Sequence, residues 1–418
     1  MEQEYYEIRS EFYRFDGDAC GNNGTGLAVY YPMKKTDRTR IAVLAMHASD
    51  YMGFYPMVEM ARRGFIAAGI EPRQRGDLAA TMLECRRCIE FLKNIPGVEC
   101  VVLMAHSQGG CILSCYQYIA ENGIGRFQKT ERILPFPDID PLIPADGLML
   151  LDANYGIMDV LALDPAVRTF DNGYGRIPEL DIYNPENGYA PGKSCYNKEF
   201  IRRFQKATVD YYRRILDQAH ERYDLIRQGR GRFLDDEPFL IPGAAGGSDN
   251  NKLFIQDPRL LGHTAEPRPL LHPDVSVTEE IVYTVRPAAD AVKSTIYHHG
   301  ALMTTVMGIL KNEKKFDDDF GFDETHMWGM DEEFNPMSTR GNVKGIHIPL
   351  LCEGNTASHE FINIEMTYKL AASEDKDIIM VEGSTHPFAP VAPEYGNTLG
   401  NAADYFADWL SKPGRFLN

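Results

Sequence analysis

Short apolar runs alternate with stretches of helical periodicity over the first third of the chain. The apolar runs span residues 39–46, 65–70, 100–104 and 146–151, and the stretches with helical spacing span 57–64, 78–95 and 111–119. A nearly continuous apolar run of this length is typical of a strand that is covered on both faces. The alternation therefore predicts an α/β fold, with a mostly parallel central sheet and helices on both of its faces.

The alternation stops after residue 156 and resumes near residue 342. The intervening part is rich in Pro, Gly, Tyr and Asp, and its clearest element is one long amphipathic helix at 197–228. Beyond it, the pattern predicts a strand at 345–352, a helix at 360–372, a strand at 377–381 and a helix at 398–411. We therefore expect a core made of residues 1–156 and 342–418, split by a large cap domain at 157–341 that is mainly helical or irregular.

One serine lies at a sharp turn between a predicted strand and a predicted helix. Ser107 follows the apolar run 100–104 and has Ala105 two positions before it and Gly109 two positions after it. Small residues at these positions relieve the crowding of a turn that projects the serine hydroxyl from the sheet, as in a nucleophile elbow. Alanine replaces the more usual first glycine, so the motif needs support from the rest of the chain.

Composition excludes several classes of protein. The 418-residue chain has a formal net charge of −17, which argues against a nucleic-acid or anionic-membrane partner because binding to phosphates needs clustered positive charge. No basic segment followed by an apolar segment opens the chain, and no apolar run has the length of a membrane span. Eight cysteines in a chain of this length do not form a disulfide scaffold. These features predict a cytoplasmic protein.

Three motifs give the chain a resemblance to the α/β-hydrolase superfamily. They are the serine turn at 105–110 (AHSQGG), residues 47–49 (HAS) at the end of an early strand, and residues 381–388 (VEGSTHPF) after the last strand. They occur in the order in which the superfamily has its oxyanion-hole loop, its nucleophile and its catalytic histidine. The resemblance covers about residues 1–156 and 342–418, and it does not indicate a substrate.

The resemblance implies a catalytic triad in which Ser107 is the nucleophile and His386 is the base. A serine hydroxyl needs a base next to it, and imidazole titrates near neutral pH. The carboxylate that orients the base is less evident, because the turn after the strand at 346–352 has no aspartate. Asp152, at the end of the preceding strand, is our first choice for the acid. Glu360 is the second choice and Glu353 the third.

The resemblance also implies residues around the triad. The backbone amides of Gln108 and Ser49 would form the oxyanion hole. His47, His106 and Tyr155 would line or support the substrate pocket. Aromatic residues of the cap would line an apolar pocket or form the core of the cap itself. They include Phe170, Tyr174, Tyr183, Tyr189, Tyr297, Phe322 and Trp328.

These features predict a serine hydrolase that needs no cofactor and no metal. Its substrate would be an ester, thioester or lactone of a partly apolar small molecule. An acyltransferase or a C–C bond hydrolase would use the same residues, and a non-catalytic ligand-binding protein with the same fold is the third alternative. The sequence leaves open whether the protein forms a homo-oligomer.

Overall fold

A ten-stranded sheet forms the centre of the computed structural model. The structure describes residues 5–15, 24–73, 77–129, 134–167, 175–243, 253–288 and 301–417. In chain order its strands are β1 (Ile8–Phe15), β2 (Thr25–Pro32), β3 (Ile41–Ala45), β4 (Ile66–Glu71), β5 (Cys100–His106), β6 (Gly147–Leu151), β8 (Arg268–Leu271), β9 (Val277–Glu280), β13 (Leu350–Asn355) and β14 (Lys376–Val381). Their spatial order is β1-β2-β4-β3-β5-β6-β13-β14-β8-β9. The seven strands from β4 to β8 in this order are parallel, and β1, β2 and β9 are antiparallel to their neighbours.

Helices cover both faces of this sheet. The helices are α1 (Tyr55–Arg62), α2 (Leu78–Lys93), α3 (Gln108–Asn122), α4 (Met158–Leu161), α5 (Lys198–Arg227), α6 (Leu253–Gln256), α7 (Val306–Lys311), α8 (Thr339–Asn342), α9 (Phe361–Leu370) and α10 (Thr398–Leu410). On one face, α1 and α10 enclose a core that contains Met57, Phe406 and Trp409. Apolar residues of α2, α3, α5 and α9 belong to the larger core on the opposite face. The predicted α/β class, with a mostly parallel sheet covered on both faces, is confirmed.

The segment between β6 and β13 contains more than a cap. Its longest helix, α5, buries the predicted apolar stripe, including Phe200, Phe204 and Ile215. Two small antiparallel ribbons accompany this helix and are formed by β7 (Pro238–Pro242) with β10 (Ala301–Thr305) and by β11 (Phe316–Phe322) with β12 (Met327–Met330).

The predicted insertion at 157–341 differs from the structure at β8 and β9, which extend the central sheet at its edge. Only Leu270 and Leu271 of β8 are buried, and all four residues of β9 are exposed. Such short edge strands have no apolar run that could distinguish them from loops. The predicted strand at 345–352 also lies later in the chain. It begins after Pro349 and continues to Asn355, through polar residues that the sequence pattern assigned to a turn.

The start of α3 packs against two loops at positions where no side chain fits. A methyl group on Gly109 would lie 2.2 Å from the carbonyl oxygen of Met46, and one on Gly110 would lie 2.4 Å from Cβ of Ala153. Because Met46 would have to move its backbone, the cost of a larger residue at Gly109 cannot be avoided by rotating a side chain. The two glycines therefore bring β3, the serine turn and the end of β6 together.

We expect Gly109→Ala to lower the free energy of unfolding by about 1–3 kcal/mol, since overpacking of a close backbone contact costs this much. Chemical denaturation measures the change. Gly125→Ala is the matched control, because a methyl group there has no neighbour within 4 Å. Equal stability of the two variants would contradict this description of the packing.

Candidate active site

Ser107 connects β5 to α3 in a strained conformation. Its φ of 55° and ψ of −129° are uncommon for a residue with a side chain. The turn is held by its backbone, because the carbonyl oxygen of Ser107 accepts hydrogen bonds from the amides of Gly110 (3.0 Å) and Asn154 (2.9 Å). Ser107 is half-buried. The strand, the strained serine and the following helix have the geometry that the sequence motif predicts for a nucleophile elbow.

Asp152 and His386 form a hydrogen-bonded pair, and the ring of His386 lies 4.4 Å from that of His106, the residue before Ser107. The Nδ1 atom of His386 lies 2.5 Å from Oδ2 of Asp152, whose side chain is completely buried. Asp152 follows β6 and has a φ of 44°, which Asp tolerates better than most residues. Its other carboxylate oxygen accepts a hydrogen bond from the amide of Asn355 (3.1 Å). The structure thus places the first-choice acid against the predicted base.

The other two candidate acids have different surroundings. Glu360 directly precedes α9, and its Oε1 lies 3.1 Å from Nε2 of His359. Glu353 lies within β13, in register with Leu151 of β6 and Ile379 of β14. Its backbone carbonyl accepts a hydrogen bond from the amide of Asp152 (2.7 Å), while its side chain is buried in the sheet.

His106 connects the serine turn to the loop that carries His386. Its Nε2 atom lies 2.8 Å from the backbone carbonyl oxygen of His386, and its Nδ1 atom lies 2.7 Å from the hydroxyl of Tyr51. Burial lowers the pKa of His106 well below its usual range, so the ring is neutral. A carbonyl oxygen only accepts, so Nε2 carries the proton and Nδ1 accepts from Tyr51. Both nitrogens of His106 are therefore hydrogen-bonded. Because its ring also lies 4.4 Å from that of His386, His106 supports the site and has no nitrogen free for proton transfer.

Residues 47–49 form a turn that closes on itself. The amide of Ser49 donates a hydrogen bond to Nδ1 of His47 (3.1 Å), and the Ser49 hydroxyl lies 2.8 Å from the same nitrogen. Burial, with a smaller effect of His386, lowers the pKa of His47 to about 4, so the imidazole is neutral and can accept. The ring of His47 also stacks on Tyr51 at 4.6 Å.

This turn changes the predicted oxyanion hole. The Ser49 amide is directed to His47, which differs from its predicted role as a donor to the substrate. The sequence motif could not reveal this, because the turn depends on the rotamer of His47. Gln108 remains well placed, because it is the first residue of α3 and its amide has no acceptor within the helix.

Glu353 is a buried carboxyl group that sequence reasoning treated only as an alternative triad acid. Both of its carboxyl oxygens lack a hydrogen-bond partner among the described residues. Burial, together with the charge of Asp152, raises the pKa of Glu353 well above its usual range. Both effects favour the protonated form of Glu353, which adds no charge beside Asp152. Glu353 directly follows the apolar run 350–352, and this position is the sequence signal that its carboxyl group could be buried.

Tyr155 lies three residues beyond Asp152 and is fully buried. Its ring centre is 6.3 Å from that of Phe254 in α6, so it belongs to the contact between the core and the inserted segment. Phe322 is likewise buried, whereas 40% of Trp328 is exposed. The rings of Tyr183 and Tyr189 contact each other. Phe170, Tyr174 and Tyr297 lie outside the described residues.

The described segments contain no helix that combines the length and the apolar character needed to cross a membrane. The seven cysteines that the structure describes are free thiols.

The strand order, the serine turn and the Asp–His pair define an α/β-hydrolase fold. No family model matches the sequence, and no curated protein matches it.

Among solved structures, the chain is similar to the hypothetical protein PA2218 from Pseudomonas aeruginosa (12% identity, 97% of this chain and 93% of that chain, TM-score 0.43). It is also similar to Est1E from Butyrivibrio proteoclasticus (8% identity, 96% and 97%, TM-score 0.41). A third is the monoacylglycerol lipase of Paleococcus ferrophilus (13% identity, 97% and 98%, TM-score 0.37). Each TM-score is below 0.5, so the assignment of the fold depends on the topology and the site geometry.

The protonated Glu353 predicts a pH-dependent effect of Glu353→Gln. A carboxyl group whose pKa is raised by folding stabilises the protein fully below its unfolded pKa of about 4.3, and this contribution is lost as pH rises toward the folded pKa. The amide of Gln avoids this loss. We expect the free energy of unfolding of the variant, relative to wild type, to increase between about pH 5 and pH 7 by up to about 1.4 kcal/mol per pH unit.

Urea denaturation at several pH values measures this slope. Glu99→Gln is the control, because Arg40 lowers the pKa of the exposed Glu99, which stays ionised over the whole interval. A difference between Glu353→Gln and wild type that is constant with pH would show that Glu353 is ionised in the folded protein.

Tyr51→Phe should lower the free energy of unfolding by about 1–3 kcal/mol, because it leaves the buried Nδ1 of His106 without a donor. Tyr55→Phe is the matched control, since 66% of Tyr55 is exposed. Thermal or chemical denaturation compares the two variants, and equal stability would mean that the Tyr51–His106 hydrogen bond does not contribute.

Proposed function

We propose that this protein is a serine hydrolase that cleaves an ester, thioester or lactone of a partly apolar small molecule through an acyl-enzyme on Ser107. One observation carries the proposal. A buried aspartate is hydrogen-bonded to the imidazole of His386, and the ring of His386 lies 4.4 Å from that of His106, the residue before the strained Ser107 between a strand and a helix. A merely structural serine would not need this conformation or these neighbours.

The first half of the reaction forms the acyl-enzyme. His386 removes the proton from the Ser107 hydroxyl as Oγ attacks the carbonyl carbon, and the carbonyl oxygen becomes an oxyanion. The amide of Gln108 donates to this oxyanion, and one such donor contributes roughly 3–4 kcal/mol. Asp152 accepts a hydrogen bond from Nδ1–H of His386 and so stabilises the imidazolium. The intermediate collapses when His386 returns the proton to the leaving alcohol, thiol or lactone oxygen.

The second half repeats these steps with water. His386 takes a proton from water, whose oxygen attacks the acyl carbon, and the proton then returns to Ser107 as the acid product leaves. The hydrogen bond to Asp152 keeps a proton on Nδ1 of His386 throughout, so only Nε2 is available for proton transfer. The neutral Glu353 supports this arrangement, since a second negative charge would compete with Asp152 for the imidazolium.

A fluorophosphonate probe tests the nucleophile. We expect the probe to label wild-type protein on Ser107 and to leave Ser107→Ala unlabelled, as measured by mass spectrometry of the intact protein. Ser411→Ala is the control, because Ser411 is an exposed serine that directly follows α10. A folded wild-type protein that neither reacts with the probe nor hydrolyses p-nitrophenyl esters would contradict the proposal.

Comparison of Asp152→Asn with Glu360→Gln tests the acid. Loss of the carboxylate that orients the base can cost roughly 10⁴ in rate, so Asp152→Asn should lose most of its kcat on p-nitrophenyl esters. Glu360→Gln should retain a rate within about tenfold of wild type, since its carboxylate is not part of the proposed triad. Thermal denaturation confirms that both variants are folded. Near-normal activity of Asp152→Asn would rule out its assignment as the acid.

A further inference from the structure

Arg286 is a buried cation that forms no salt bridge with a described residue, although the charge of Asp257 acts on it. Only 7% of the residue is exposed. Its Nη2 atom donates to the backbone carbonyl oxygens of Phe254 (2.6 Å) and Leu260 (3.1 Å), while Nε and Nη1 have no hydrogen-bond partner in the described part of the chain. Burial lowers the pKa of Arg286 to about 10, so the guanidinium remains charged at neutral pH.

Neighbouring arginines of this region differ from Arg286 because each has an acid. Arg340 is paired with Glu332 at 2.5 Å. Arg259 is paired with Asp257, also at 2.5 Å. An unpaired buried charge is costly, so a protein that keeps one in this position gains most when a ligand supplies the opposite charge.

Tyr155 adds a second unused donor to the same region. It is fully buried, and its hydroxyl has no hydrogen-bond partner in the described segments. The ring of Phe254 is close to both groups, with its centre 6.3 Å from that of Tyr155 and 5.7 Å from Cζ of Arg286. Burial, together with the charge of Glu360, raises the pKa of Tyr155 well above its usual range, and the charge of Arg286 acts in the opposite direction. The hydroxyl therefore keeps its proton and can donate.

Both groups are fixed to the backbone of the proposed active site. The amide of Asn154, the residue before Tyr155, donates to the carbonyl oxygen of Ser107 (2.9 Å). On the other side, the amide of Val285, the residue before Arg286, donates to the carbonyl oxygen of Thr356 (3.0 Å). Thr356 follows Asn355, whose amide donates to Asp152.

We propose that Arg286 and Tyr155 form a carboxylate-binding subsite next to the catalytic triad, so that the substrate of this hydrolase carries a free carboxylate in addition to the bond that is cleaved. The proposal rests on the proposed function for the bond that reacts. The unused donors of the guanidinium and of the phenol match the oxygens of a carboxylate, which only accept. Phe254 and the buried aromatic residues around it would contact the apolar part of the same molecule.

Matched charged and neutral esters test the subsite. In the first pair, p-nitrophenyl hemiglutarate carries a carboxylate on its acyl side and p-nitrophenyl butyrate is its neutral counterpart. In the second pair, 3-acetoxybenzoate carries the carboxylate on its alcohol side and phenyl acetate is the neutral counterpart. For at least one pair, wild type should have the higher kcat/KM on the charged ester. Arg286→Met should reduce the charged-to-neutral ratio by about 10- to 100-fold, the usual effect of losing a hydrogen bond to a charged group. Activity on the neutral ester of that pair should change little.

Tyr155→Phe provides a second test if Arg286→Met does not fold. This variant removes only the phenol oxygen, so it disturbs the packing less. It should lower the same ratio, whereas Tyr116→Phe should not. The Tyr116 hydroxyl donates to the carbonyl oxygen of Ile143 and contacts neither Arg286 nor Tyr155 through any described hydrogen bond. An unchanged ratio in both Arg286→Met and Tyr155→Phe would overturn the subsite.

Binding without turnover separates this proposal from the proposed function. Glutarate should raise the melting temperature of Ser107→Ala, glutaramide should not, and the effect should disappear when Tyr155→Phe is added. If this holds although no ester is hydrolysed by wild type, the subsite stands and the hydrolase proposal fails. If glutarate has no effect on the melting temperature and the charged-to-neutral ratios do not depend on Arg286, the proposed carboxylate subsite is wrong.

Discussion

The contact between Asp152 and His386 depends on the register of three parallel strands. Asp152 leaves β6 in a left-handed conformation, with its amide on the carbonyl oxygen of Glu353 and its carboxylate on the amide of Asn355. Asn355 is in turn in register with Val381, where β14 ends before the loop that carries His386. A shift of one residue between β6 and β13 would reverse the side chains of one strand relative to the other and move the acid away from the base.

The surroundings of this pair keep charge low except where it is used. Burial raises the pKa of Glu353 and lowers the pKa values of His47 and His106, which favours the neutral form of all three groups around Asp152 and His386. In a region with little water, one opposed charge is felt more strongly than at the surface. Arg286 differs from these neutral groups because its guanidinium keeps its charge in the interior. This charge and its unused donors are the reason for proposing it as a binding group.

Much of the core follows from local pattern. The apolar runs that become β3, β4, β5 and β6, and the stripe of α5, were predicted because their side chains are buried on fixed periods. The pattern missed β8 and β9 because short edge strands bury few residues, and it ended β13 too early because its last residues are buried but polar. Burial of Glu353 and Asn355 comes from strands on either side, which no local window contains.

The sequence by itself determined the α/β class, the serine turn and the short set of residues from which a triad could be built. It did so because small residues around Ser107, alternating apolar runs and a histidine after the last strand are properties of neighbouring positions along the chain. Only the tertiary structure decided that Asp152 reaches His386, that the Ser49 amide turns back to His47, and that Nε and Nη1 of Arg286 have no hydrogen-bond partner among the described residues. The Asp152–His386 hydrogen bond joins positions 234 residues apart through strand register, while the other two facts depend on rotamers and loop contacts. None of these has a periodic signature in the sequence.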